Sequence, residues 1–300
     1  MIMRALASAT LAILLLSGGE ISPVPPAQAA SAATLAADAE VIRYSYADLA
    51  DLASAAPLVI KAQIRKSAQV EAARAPGLAP GHARLYVEAD VDSLIRGGGP
   101  LASRVSYLVD LPLENGRTPK LRKKMPMLLF ARSVSGGTPG STDTGSVRLV
   151  APDAQIASDP ATEARLRAIL SELVKPGAPP AITGIANGFH VPGTLPGEGE
   201  TQLFLDTETG EPVSITILTA ADGSRRWAAA FGEIVDGSAA APKRDTLAWY
   251  RLACGLPRTL PLTKLRGTLP EDRRKATADY AVVLGALGEC TRTRTPPPAR

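Results

Sequence analysis

The residues best equipped for chemistry lie in Asn187-Gly188-Phe189-His190-Val191-Pro192-Gly193-Thr194-Leu195-Pro196-Gly197-Glu198-Gly199-Glu200-Thr201. His190, Glu198, Glu200 and Thr201 put an imidazole, two carboxylates and a hydroxyl into one short stretch, and they form the candidate ligand-binding set. His190 with Glu198 and Glu200 would make an acceptable zinc donor set, although their spacing follows no established signature. The competing expectation is that the glycines and prolines fold this stretch into an irregular structural loop, with His190 part of a turn. Only one other histidine, His82, is present, so a site built from several histidines is excluded. His190 could act as the base of a Ser-His-Asp hydrolase, but no Gly-x-Ser-x-Gly elbow accompanies it. No residue is assigned a catalytic role, and no metal or cofactor is implied.

Other chemical motifs fall away on inspection. Asp206-Thr207-Glu208 is similar to the aspartic-protease Asp-Thr-Gly, but Glu208 stands where the glycine must be. Gly97-Gly98-Gly99 runs into Pro100 without the Lys of a phosphate-binding loop and reads as a turn. Lys120-Leu121-Arg122-Lys123-Lys124 reads as a solvated hairpin loop, with a patch for anionic lipid or polysaccharide as the alternative. The formal net charge of +4 over 300 residues falls well short of a nucleic-acid signature, which needs basic residues clustered on one face together with a recognisable fold.

These residues must be positioned by a β-rich frame. In Leu85 to Gly97, Leu85, Val87, Ala89 and Val91 alternate with Tyr86, Glu88, Asp90 and Asp92, the signature of a half-buried strand. Apolar, turn-bounded runs at Leu58 to Ile64, Val105 to Leu111 and Met125 to Ala131 supply partner strands. Ser45 is placed to cap a helix over Tyr46 to Ala55 with Asp48 in its first turn. Ala72 to His82 and Ser133 to Ser146 read as loops, and Val147 to Val150 as a brief strand. Asp159 and Pro160 open a second helix whose apolar stripe is Leu166, Ile169, Leu170 and Leu173. Beyond Pro176 to Pro180, strands at Gln202 to Leu205, Val213 to Thr219 and Trp227 to Val235 form an antiparallel meander. Asp245 is expected to cap a helix burying Leu247, Tyr250 and Cys254, and Pro270, Glu271 and Asp272 to begin another with Tyr280, Val283, Leu284 and Leu287 inward.

Arg4, the apolar run Ala5 to Leu16 and Ala27-Gln28-Ala29 have the form of a secretory signal peptide. No later run approaches the roughly 20 apolar residues a spanning helix needs. The mature chain is therefore expected to be soluble and periplasmic or secreted. In such a compartment Cys254 and Cys290 would pair as a structural disulfide. The expected organisation is a signal peptide over residues 1–29, a disordered linker over 30–40, a β-module with its packing helix over 41–175, the meander and two disulfide-linked helices over 181–291, and a disordered tail over 292–300.

Two resemblances extend this reading. Asp48-Leu49-Ala50, Leu58 to Ile64, Leu94-Ile95-Arg96-Gly97 and Leu128-Leu129-Phe130 together resemble the OB-like β-barrel module found in exported bacterial proteins. Such modules bind oligomers through aromatic strand residues. Here only Tyr86 and Tyr107 are placed to do so, and the simpler expectation is that both are ordinary strand residues. Asn187 to Thr201, Glu200 to Leu205, Arg226-Trp227-Ala228, Glu233 to Asp236 and Leu247 to Cys254 resemble an uncharacterised family of exported proteins from sphingomonad-type alphaproteobacteria, which brings no activity with it. The combined expectation is an α+β, β-rich protein: an OB-like small barrel or sheet, then an antiparallel meander with two C-terminal helices. Its expected role is a non-catalytic periplasmic binding or envelope-associated module, partnered by an envelope component or another periplasmic protein and by no nucleic acid. The alternative is a hydrolase or metal-dependent enzyme centred on His190 to Glu200.

Overall fold

The computed structural model describes residues 44–99, 101–134, 145–232, 240–267 and 269–294. The expected signal peptide and linker lie outside the described residues, as do Glu233 to Asp236 and residues 295–300 of the expected tail. The described fold is α+β, built on two antiparallel sheets.

The chain enters through α1 (Tyr46–Ala55), where Ser45 and Asp48 form a reciprocal capping box. The first sheet follows: β1 (Leu58–Gln69), β2 (His82–Arg96), β3 (Arg104–Pro112), β4 (Pro126–Ser133), β5 (Val147–Leu149) and β6 (Gln155–Ala157). Its order is β3-β2-β1-β4-β5, with β6 also paired to β4. In β2 the side chains of Leu85, Val87 and Ala89 are buried while Tyr86 is exposed, as the alternation requires. β4 buries Met127 to Ala131 without a break, because β1 covers one edge, β5 and β6 the other, and both faces meet the core. Three register shifts between β1 and β2 coil this pair, bringing β3 round toward β5. The two approach in parallel at one bridge, Ser106 opposite Ser146, and the sheet does not close into a barrel.

The helix α2 (Pro160–Leu173) is capped by the Asp159 carboxylate and buries Leu166, Ile169 and Leu170. The second sheet is β7 (Ile182–Pro192), β8 (Gly199–Thr207), β9 (Val213–Thr219) and β10 (Arg225–Phe231), a meander in the order β10-β9-β8-β7. Two further helices, α3 (Leu247–Gly255) and α4 (Pro270–Leu287), pack on β7 and on each other.

The structure departs from expectation at three places. Asn187 to Thr201 is not an irregular loop. Its ends belong to β7 and β8, paired His190 with Thr201 and Val191 with Glu200, and only residues 193–198 turn. Glycine here serves close packing within strands: a Cβ on Gly188 would lie 2.6 Å from a Leu203 methyl, and one on Gly199 would lie 2.6 Å from the His190 ring. The cap of α3 is Thr246, whose hydroxyl accepts from Trp249 N, while Asp245 sits at φ 59 and turns the chain. Finally, residues 292–294, expected to belong to a loose tail, are bonded to the body of the protein. Arg292 pairs with Asp51, Arg294 makes a bidentate pair with Asp153, and Thr293 binds Asp48.

Cys254 and Cys290 form a disulfide with Cα atoms 5.2 Å apart, joining the end of α3 to the segment after α4. Trp249 adds a second tie, its indole N–H donating to Leu287 O at 2.8 Å. One apolar cluster runs from α1 through both sheets to α4, so the residues on either side of Pro176 to Pro180 share a core.

Asp48 is buried, and burial alone would raise its pKa. Hydrogen bonds from Thr293 and Ser45 outweigh this and hold the carboxyl below the ordinary range. A depressed carboxyl stabilises the fold fully above the unfolded pKa of about 3.9, and that contribution is lost as pH falls through the folded value. Replacing Asp48 by Ala should lower stability by about 3 kcal/mol at neutral pH, because buried donors lose a charged acceptor. Urea unfolding of the variant beside a Thr293→Ala variant, expected to lose less, would measure it.

Candidate functional site

His190 and Thr201 face one another across β7 and β8 on the side of the sheet that meets α4. Thr201 Oγ1 lies 2.5 Å from Asp279 Oδ2 and donates to it, since a carboxylate oxygen can only accept. The same hydroxyl oxygen lies 2.9 Å from His190 Nδ1, so its free lone pair accepts the Nδ1 proton. This assigns the imidazole to the Nδ1–H tautomer and leaves Nε2 as a bare acceptor. Nε2 is buried, pressed against Gly199, and has no hydrogen-bond partner among the described residues. Asp279 also accepts from Arg225 Nε at 2.7 Å and Thr219 Oγ1 at 3.3 Å. The His190 and Asp279 side chains are each 2% exposed.

The expected set does not converge. Glu200 is one residue removed from Thr201 along a strand, so it points to the opposite face, where it accepts from Gln202 Nε2 at 2.7 Å. Glu198 sits in the turn and accepts from Leu195 N at 3.2 Å. Among the described residues no three His, Cys, Asp or Glu side chains are grouped to hold a metal ion. The order of groups also departs from a hydrolase relay, in which the imidazole stands between hydroxyl and carboxylate. Here the hydroxyl stands in the middle and its proton is committed to Asp279. Of the candidate ligand-binding residues, His190 and Thr201 work together as a buried tie between sheet and helix.

Asp279 and Arg225 complete this tie and were not among the expected residues. The signal for Asp279 is an acid inside the apolar stripe of α4, between buried Ala276 and Val283.

A separate feature opens on the first sheet. A cleft of about 580 Å³ lies between the outer face of β2 and β3 and the edge of β5. Its floor is made of neighbouring cross-strand pairs: Arg84 with Asp110, then Tyr86 with Leu108. Arg84 closes one end, donating to both Asp110 oxygens at 2.6 and 2.7 Å and to Pro76 O at 3.1 Å, which fastens the loop between β1 and β2. Ser106 and Ser146 meet at the other end, hydroxyl to hydroxyl at 3.3 Å. Tyr86 and Leu108 remain 40% and 49% exposed, an apolar platform on an ordered strand pair. Arg148 lines the opposite wall and, among the described residues, forms no ion pair.

The two tyrosines named from the sequence therefore divide. Tyr107 is 3% exposed and donates its hydroxyl to Gln155 Oε1, and burial pushes its pKa well above the ordinary phenol value. It is a core residue. Tyr86 presents its ring to the cleft.

No protein-family model matches the chain, and no curated protein matches it. The functional reading therefore rests on the two features above, one closed and one open.

For the closed one, burial lowers the His190 pKa, with Lys275 adding to the effect and Asp279 and Asp272 opposing it. Protonation would place a donor at Nε2 with no acceptor among the described residues. A histidine depressed in the folded state stabilises fully above its unfolded pKa of about 6.5, and stability is lost as pH falls from there toward the folded value. Thermal melts between pH 7.5 and 5 should show this decline in the wild type and a flatter profile in His190→Gln. The His190→Ala variant should be about 2 kcal/mol less stable at pH 7.5, since Thr201 loses its donor.

Proposed function

We propose that this protein is an exported, non-catalytic binding module of the cell envelope, and that it holds a saccharide oligomer in the cleft over β2 and β3. The single observation that carries this reading is the Tyr86–Leu108 platform, exposed on rigid strands beside Arg148, Ser106 and Ser146. Sugar rings stack their apolar faces on aromatic and aliphatic side chains while hydroxyl and guanidinium groups take their edges.

The first sheet supports an OB-like assignment. β1 pairs with both β2 and β4, β2 continues to β3, and β3 approaches β5 in parallel. OB-type modules bind oligomers on the face of their second and third strands, between the loop joining strands one and two and the loop joining strands four and five. The cleft occupies the corresponding place, with Pro76 at one margin and Val134 and Ser146 at the other. In this reading the second sheet with α3 and α4 is a brace for the module, and the chain is a member of the exported family that residues 181–260 resemble. Export is supported by the apolar run Ala5 to Leu16 before Ala27-Gln28-Ala29, and by the pairing of Cys254 with Cys290. No helix of the described residues is long and apolar enough to cross a membrane.

Titration calorimetry against oligosaccharides released from the host envelope tests the reading. Tyr86→Ala should weaken binding about tenfold or more, the loss of one stacked ring, with an unchanged melting temperature because the side chain is exposed. Equal binding by wild type and Tyr86→Ala would remove the cleft from consideration.

A further inference from the structure

The connection from β3 to β4, residues 113–125, carries Arg117, Lys120, Arg122, Lys123 and Lys124 against a single acid, Glu114. Five cations less one carboxylate is +4, which equals the formal net charge of the whole chain. The rest of the chain sums to zero, so this loop carries a charge equal to the net excess of the whole sequence.

The loop is held in place. Glu114 and Arg117 bond one another backbone to backbone around Asn115 and Gly116, both at positive φ, the geometry of a tight hairpin turn. Thr118 Oγ1 donates to Gln69 Oε1 at 2.8 Å, and Lys124, itself at φ 65, donates its N–H to Ile64 O at 2.7 Å. Leu121 packs inward against the core. The five cationic side chains are all exposed, and none forms an ion pair with another described residue. On the adjacent strand β1, by contrast, Lys66 pairs with Glu88 at 2.9 Å and Arg65 approaches Asp90 at 3.9 Å. Two surface depressions, of about 660 and 590 Å³, share Glu114, Lys120 and Arg122 in their walls.

We propose that this loop docks the protein on the phosphate headgroups of an anionic membrane surface. The inference is independent of the cleft. Unneutralised lysines and arginines on a fixed loop match a diffuse layer of mobile phosphates, each near-surface cation contributing roughly fivefold in partitioning. The loop holds no aromatic side chain on which bases could stack, which argues against single-stranded nucleic acid. It also presents no large exposed apolar side chain, so attachment is by charge alone and is reversed by salt.

Co-sedimentation of the full chain with phosphatidylcholine vesicles, with and without phosphatidylglycerol, tests this. The wild type should partition to the phosphatidylglycerol vesicles only, and raised salt should release it. A Lys120→Gln, Arg122→Gln, Lys123→Gln variant should bind on the order of 100-fold more weakly, three charges being removed at roughly fivefold each, with its thermal melt unchanged. If that variant melts lower, Lys123→Gln alone should weaken partitioning by roughly fivefold. Equal binding to neutral vesicles, absence of partitioning, or undiminished binding by the charge variants would overturn the proposal. Retention on immobilised heparin together with no partitioning to phosphatidylglycerol vesicles would assign the loop to a soluble polyanion instead.

Discussion

Much of this structure depends on one buried carboxylate. Asp48 accepts the Ser45 N–H at the start of α1, and it also accepts Thr293 N, Thr293 Oγ1 and Arg294 N from the last described residues. A buried charge is costly unless hydrogen bonds replace its water, and here they are supplied at once by Ser45 and by Thr293 and Arg294, far apart in sequence. Asp51 repeats the arrangement one helical turn later, accepting from Tyr250 of α3 and from Arg292. Thus α1, α3 and the C-terminal segment are bound through acids on one short helix, and the sheets are packed around that knot.

The fold and the site were legible in the sequence to different degrees. Local signals carried the elements well. Ser45 with Asp48, Asp159 with Pro160, and the alternation of Leu85, Val87 and Ala89 each state a structure within a few residues. Failure came where one residue type serves two purposes. The glycines of Asn187 to Thr201 look like loop punctuation, but Gly188 and Gly199 make room for Leu203 and His190 inside a strand pair. Asp245 looks like a cap and is a turn residue, with Thr246 taking the capping position behind it.

The candidate site was legible only in part, because its partners are distant in sequence. His190 and Thr201 could be named, yet their role is decided by Asp279, 78 residues from Thr201. Glu200 lost its part to strand geometry, which sends successive side chains to opposite faces, and Glu198 lost its part to the turn, where it accepts from Leu195 N. The cleft was less visible still. Tyr86 and Leu108 are ordinary strand residues until the register sets them side by side, and the groove lies beside a single bridge between Ser106 of β3 and Ser146, just before β5.

The C-terminal clasp also bears on the order of events in synthesis. The bonds from Arg292, Thr293 and Arg294 to α1 span 241 to 246 residues of sequence. A chain delivered from its N-terminus produces α1 early, yet the Thr293 and Arg294 donors to Asp48 follow only 245 and 246 residues later. Until then the helix that starts the fold keeps its carboxylate in water, and the first sheet assembles against a partner that has not settled. Contacts of such long separation slow the final stage of folding and favour its completion as one event after residues 292–294 have been delivered.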